Sequence, residues 1–179
     1  MRIAISGPPG SGKTTVGELV ADRMGFDLVL VGQLFRQMAI ERNMDLAAFG
    51  RLAEEDETID RELDDRTVSV AREREDIVIE GRLTGALLKQ NGIDALSVLV
   101  DAAEEVRCHR IAKREEKPVE IVLDEMRKRE QSERKRYLAY YGIDPTDSGI
   151  YDLCIDSSSK PPEEIADAII AEAERRYAD

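Results

Sequence analysis

The sequence predicts an α/β fold in which a five-stranded parallel sheet carries helices on both faces, with small helical lobes attached. Three observations carry that expectation. Short apolar runs recur along the chain, helical periodicities lie between them, and a glycine-rich stretch, GPPGSGKTT, joins the first run to the first helix. Strands separated by helices pair in parallel, and a parallel sheet is buried on both faces. The 179 residues suffice for one domain, 1–179, large enough to fold without a disulfide or metal.

The elements follow in order. RIAIS (2–6) is the first strand. Val16, Leu19, Val20 and Met24 mark one face of a helix that Gly25 closes. DLVLV (27–31) is the second strand, and Phe35, Met38, Ala39 and Arg42 outline a helix behind it. A longer helix runs through the acidic stretch 57–75, with Ile59, Leu63 and Val70 on its inner side and 53–65 as a solvated face. DIVIE (76–80) and ALSVLV (95–100) are the next strands. Val106, Ile111, Val122, Leu123, Met126 and Tyr137 belong to helices flanking a break at Lys117-Pro118. YDLCID (151–156) is the last strand, and Pro161-Pro162 opens a final helix with Ile165, Ala168 and Ile169 inward. The surplus helices fall at about 32–75 and 115–145, which assigns one lobe to each and leaves 1–31, 76–114 and 146–179 as the core.

Composition narrows the function. The net charge of −12 disfavours a nucleic-acid binder. Residues 107–136 nevertheless hold eleven Lys or Arg against seven Asp or Glu, a net of +4 on a body that sums to −16. A basic segment on an acidic body suits an anionic ligand, or equally a solvated helix laced with ion pairs. No run approaches a membrane span, and a chain opening directly on a strand is expected to carry no secretory segment. Cys108 and Cys154 lack metal or disulfide spacing. A cytoplasmic protein without a membrane, nucleic-acid or obligate protein partner is the expectation. His109, the only histidine, has no nucleophile arranged beside it and reads as structural or solvated.

Gly7-Pro8-Pro9-Gly10-Ser11-Gly12-Lys13-Thr14 satisfies G-x-x-x-x-G-K-[ST] in full, between a strand and an amphipathic helix. The glycines let backbone N–H groups approach phosphate oxygens, and the helix start adds unpaired amides and a positive dipole end. Lys13 reaches the outer phosphates, and the Thr14 hydroxyl is the candidate Mg2+ ligand. With Thr15, the stretch 7–15 is the expected ATP cradle. Such a cradle also serves switches and motors. A guanine-reading NKxD and a DxxG are both absent, and IVIEG (77–81) is at best a loose Walker B strand.

Beyond the cradle stand VGQLFRQMA (31–39), IVIEGRLTG (77–85), REQSERKRYLAYYGID (129–144) and YDLCIDSSS (151–159). With ISGPPGSGKTT, these resemble the nucleoside monophosphate kinases, and more closely the archaeal type of cytidylate kinase, along essentially the whole chain. The resemblance implies a P-loop NMP-kinase-like three-layer fold with an NMP-binding lobe and a lid. It implies ATP and Mg2+, with CMP or dCMP as acceptor. Gly32 and Arg36 would hold the acceptor, with Arg36 over its α-phosphate, and Arg82 would grip the same phosphate. Glu80 stands where the bacterial DGRD turn has its first Asp, and Leu83 replaces the second, so the base contact from that second Asp is not carried over; Glu80 would orient Mg2+ through water. Arg129, Glu133 and Arg136, at i, i+4 and i+7 on one helical face, resemble the lid pattern R-x-x-x-D-x-x-R. There the arginines contact phosphate and Glu133 takes the place of the Asp that touches cytosine, while Arg134 is an additional candidate. In the same resemblance the stretch 53–65 covers the acceptor site, with Asp60 or Arg61 as further candidates to reach the base. Lys13, Arg129 and Arg136 are thus the expected catalytic groups. An adenylate- or shikimate-type kinase is the alternative within this chemistry, and a nucleotide switch or ATPase the alternative outside it.

Overall fold

The computed structural model describes residues 1–178. Its five strands are β1 (Arg2–Ser6), β2 (Asp27–Leu30), β3 (Ile77–Gly81), β4 (Leu96–Asp101) and β5 (Leu153–Asp156). They form one sheet in the order β2-β3-β1-β4-β5, every neighbouring pair parallel. Between them lie α1 (Lys13–Met24), α2 (Val31–Glu41), α3 (Leu46–Glu55), α4 (Glu57–Glu73), α5 (Thr84–Gln90), α6 (Glu104–Glu115) and α7 (Val119–Tyr141), and α8 (Pro162–Arg176) follows β5. The expected strands and helices are all present, and α3 and α5 add to them.

Alternation along each strand sorts the core into two layers. Ile3, Ile5, Val78, Leu96, Val98 and Val100 pack with Val16 and Val20 of α1 and with Ile165, Ala166 and Ile169 of α8. Ala4, Ile77 and Ile79 face the other way, onto Val68 and Ala71 of α4 and Leu87 and Leu88 of α5. On α8 the inward position expected of Ala168 is taken by Ala166, and Ala168 is exposed. Helix α5 sits very close to β4, because a Cβ on Gly85 would stand 1.9 Å from Ser97 Oγ. A third cluster, Met38, Ala39, Phe49, Ala53 and Ile59, unites α2, α3 and α4 away from the sheet. The break at Lys117-Pro118 is sharp: Glu116 ends α6 at φ 54° and Pro118 precedes α7.

The strand order doubles back around β1. Sheets of this kind take ligands in the crevice at the carboxyl ends of the strands where that reversal occurs. Here the crevice lies beyond Ser6, Gly81 and Asp101. Among the described residues, no helix is long and apolar enough to cross a membrane.

Candidate active site

The loop 7–12 leaves β1 and enters α1 through two left-handed glycines, Gly10 at φ 78° and Gly12 at φ 87°. Its back is pressed against neighbouring backbone. A Cβ on Gly7 would stand 2.2 Å from the Val100 carbonyl, and one on Gly10 2.7 Å from the Arg107 carbonyl. Two arginines of α6 brace this outer side. Arg107 Nη1 donates to the Pro9 carbonyl at 3.3 Å. Arg110 Nη1 donates to the Gly10 carbonyl at 3.3 Å, and its Nη2 to the Ser157 carbonyl at 2.7 Å. Ser157 Oγ in turn donates to the Ser11 carbonyl at 2.6 Å. With the carbonyls held backwards and no side-chain cap on α1, the leading amides of α1 remain available to an anion.

Lys13 is the first residue of α1 and lies buried. Its ammonium donates to the Pro8 carbonyl at 3.2 Å and stands 3.6 Å from Glu80 Oε1. Burial, reinforced by the positive Arg82, holds its pKa down to about 8 against the opposing pull of Glu80. Thr14 Oγ1 donates to Glu80 Oε2 at 3.3 Å. Glu80 therefore sits behind both the lysine and the threonine of the cradle.

Beyond Glu80, Gly81 has no room for a side chain, since a Cβ would meet Thr84 Oγ1 at 2.5 Å. The chain then presents Arg82, whose Nη1 donates to Glu133 Oε2 on α7 at 2.6 Å. Arg129 Nε donates to the other oxygen of the same carboxylate at 3.0 Å. Arg136 lies 3.0 Å from Asp60 Oδ2 through its Nε. Both atoms of that contact are buried, so the pair is little screened by solvent. Arg36, exposed on α2, makes no ion pair or hydrogen bond among the described residues.

One cleft of about 830 Å³ gathers these groups. Lys13, Thr14, Gly32, Arg36, Arg82, Arg129, Glu133 and Arg136 all line it, with Glu80 and Asp60 between them. Phe35, Leu46, Ala53 and Leu63 form its apolar wall. Gly7 and Pro8 border an adjoining cleft of about 710 Å³ under α7. Thr15 is exposed on the first turn of α1, and Arg134 is tied to Asp144 Oδ2 at 2.6 Å.

Two expectations change. The stretch 53–65 is not uniformly a solvated face: Asp60 lines the cleft, and Asp64 accepts a hydrogen bond from Tyr141 of α7. Burial raises the pKa of both, that of Asp64 to about 6. The other change concerns Arg107 and Arg110, which sequence reasoning counted only as part of a basic segment. His109 is exposed with Nδ1 2.7 Å from the Glu105 carbonyl, and both cysteines are free.

A model of the cytidylate kinase-like family matches residues 2–159. The chain is 45% identical to a cytidylate kinase of Halorubrum lacusprofundi over 171 residues, covering 96% of this chain and 88% of that one. It is 42% identical to a cytidylate kinase of Archaeoglobus fulgidus over 174 residues, covering 97% and 95%. Among solved structures, an uncharacterized protein from Eubacterium ventriosum superposes with a TM-score of 0.74 at 21% identity, covering 97% of this chain and 98% of that one. Shikimate kinase from Acinetobacter baumannii, in complex with shikimate, gives 0.66 at 18%, covering 99% and 95%. At these identities the structural matches speak for the fold alone.

Proposed function

The chain belongs to the cytidylate kinase-like family, and on that premise we propose how its residues act. It is a cytidylate kinase, transferring the terminal phosphoryl group of ATP to CMP or dCMP and releasing ADP with CDP or dCDP. Residues about 32–75 serve as the acceptor lobe and about 115–145 as the lid, on a core of 1–31, 76–114 and 146–179. The observation that carries the reading is the single cleft joining Lys13 and Thr14 to Arg36, Arg82 and the arginines of α7.

Residues 7–15 hold the ATP phosphates. The cradle fits such a group because its glycines stand where side chains could not, and its carbonyls are drawn away by Arg107 and Arg110. Thr14 is the residue that would hold Mg2+, with Glu80 orienting water on the ion; one or two protein oxygens are what this ion ordinarily takes beside phosphates. When bound, Mg2+ supplies neutralisation of charge shared between phosphate oxygens.

The acceptor's phosphate is anionic near neutral pH, so no side chain has to remove a proton. The barrier is repulsion between two anions together with alignment, and cations supply the remedy. Arg36 and Arg82 fix the acceptor phosphate, with Gly32 beside it. Lys13, Arg129 and Arg136 stabilise charge on the transferred group, and Glu133 contributes to reading the base. Closing the lid keeps water from intercepting ATP. The reaction calls for no nucleic acid, membrane or second protein, and a cytoplasmic setting suits its substrates and free thiols.

The test is ADP release from ATP and Mg2+ with CMP, dCMP, UMP, AMP or shikimate. CMP and dCMP should support the highest turnover. Turnover with AMP or shikimate above that with CMP would overturn the acceptor assignment.

A further inference from the structure

Arg107 lies on α6 outside the cleft that gathers Lys13, Arg36 and Arg129, on the wall of the adjoining cleft that Gly7 and Pro8 border, yet its side chain is only 9% exposed. A guanidinium at that depth is retained only when its donors are matched. Its Nε donates to the Ala102 carbonyl at the end of β4, at 3.0 Å. Its Nη1 faces two ways: it donates to the Pro9 carbonyl of the cradle at 3.3 Å and to the Glu130 carboxylate on α7. The backbone reinforces the first contact, because Gly10 packs so closely on Arg107 that any Cβ would lie 3.0 Å from Arg107 Cα. Glu130 directly follows Arg129, so whatever fixes Glu130 also fixes the stretch of α7 from which Arg129 projects.

We propose that Arg107 is a positioning residue that joins the lid helix to the phosphate cradle, so that the two take up their working geometry together. The guanidinium is a rigid planar fork. A shift of the Pro9 carbonyl on nucleotide binding therefore moves the partner that Glu130 follows. The converse also holds, since coupling between two sites is reciprocal. Arg107 touches no reacting atom in this scheme; it acts through Pro9 and through Arg129. The inference rests on the kinase reading for the lid's role in transfer.

Three variants test it. Glu130→Gln keeps the cradle contact and removes the charge on the lid side. Arg107→Met removes both, and Arg107→Lys keeps the charge with a single nitrogen for the acceptors that the guanidinium serves with two. Affinity is read with a fluorescent ATP analogue, turnover with CMP, and coupling by hydrogen exchange of the 119–141 amides with and without ADP. Glu130→Gln should bind the analogue within twofold of the unmodified protein, turn over at least tenfold more slowly, and lose the slowing of α7 exchange that ADP induces. Arg107→Met should in addition bind the analogue at least fivefold more weakly, and Arg107→Lys should fall between. Turnover of Glu130→Gln within twofold of the unmodified protein, or an undiminished response of α7 exchange to ADP, would each overturn the proposal. Should Arg107→Met not fold, Glu130→Gln decides alone. If the unmodified protein phosphorylates neither CMP nor dCMP, the kinase reading fails, while binding and exchange still decide the coupling.

Discussion

Replacing Lys13 with Met should make the protein more stable while lowering its turnover by orders of magnitude. A lysine that ordinarily titrates at 10.5 and here titrates at about 8 is charged in the folded state at a cost of roughly 3 kcal/mol. The attraction of Glu80 is already contained in that shift, so removing the ammonium does not surrender it a second time. At pH 7 the group is charged in both folded and unfolded chains, and the whole cost is present. Between about pH 8 and 10.5 the folded chain sheds its proton before the unfolded chain does, so stability rises with pH across that window. Methionine fills a similar volume, carries no charge and forgoes some packing, which leaves a gain of about 1–3 kcal/mol at pH 7. That corresponds to a rise in Tm of at least ~3 °C for a chain of this size. Turnover should fall by about 10²–10³ or more, the usual effect of removing one group that stabilises transferring charge. Thermal unfolding from pH 7 to 10.5 and ADP release measure the two effects. A lower Tm for Lys13→Met at pH 7, or persistence of the alkaline rise in that variant, would refute the reasoning.

Gly10→Ala should lower stability by about 1–3 kcal/mol and weaken ATP binding, because φ is 78° and the new Cβ would stand 2.7 Å from the Arg107 carbonyl; unfolding by denaturant and nucleotide titration check it. Asp64→Asn should stabilise the protein near pH 7. Its folded pKa is raised from 3.8 to about 6 by burial, so its contribution is whole below the lower value and lost as pH rises through the upper one; the difference in Tm between variant and unmodified protein should open across that window. Arg82→Ala should raise the KM for CMP and slow turnover by about 10²-fold, while leaving the affinity for an ATP analogue within a few-fold, as steady-state kinetics will show. Arg129→Ala should reduce turnover more than ATP affinity, and unchanged turnover would reduce its ion pair with Glu133 to a surface helix contact of a few tenths of a kcal/mol.

The central strands β1, β3 and β4 could be read from the sequence because a strand buried on both faces is a continuous apolar run. The edge strands β2 and β5, though only partly buried, still carry the short apolar runs LVL and LCI. The cradle was legible because its chemistry is contiguous in the chain. Two helices were harder. In α3, Asp45 caps the first turn by accepting from the Ala48 amide, and Phe49 and Ala53 recur one turn apart. Gly50 and the following acidic residues obscure that pattern. Helix α5 has only seven residues and is buried along most of them, so it offers no polar face from which a period could be read. The cleft was legible in its arginines but not in its pairings. That Arg82 meets Glu133 across 51 residues, or that Asp60 turns inward to Arg136, depends on where α7 lies over α4. Arg107 occupies an inward position of α6 while Val106 is only half-buried. A charged side chain at an interior position runs against the periodicity by which interiors are recognised, and it is legible only once its acceptors on β4's end, the cradle and α7 are known.

The carboxylates of the cleft have a consequence for selectivity. Glu80 stands by Lys13, Glu133 between Arg82 and Arg129, and Asp60 by Arg136, so each cation that the proposed mechanism offers to a phosphate, Arg36 excepted, already has a carboxylate partner with which that phosphate would compete. An anion would gain only the difference between its own attraction and that of the carboxylates, so orthophosphate or sulfate, which bring no base or ribose, should compete poorly. The acidic residues in this way set an entry threshold that only a whole nucleotide crosses, and titration with sulfate against CMP would measure its height.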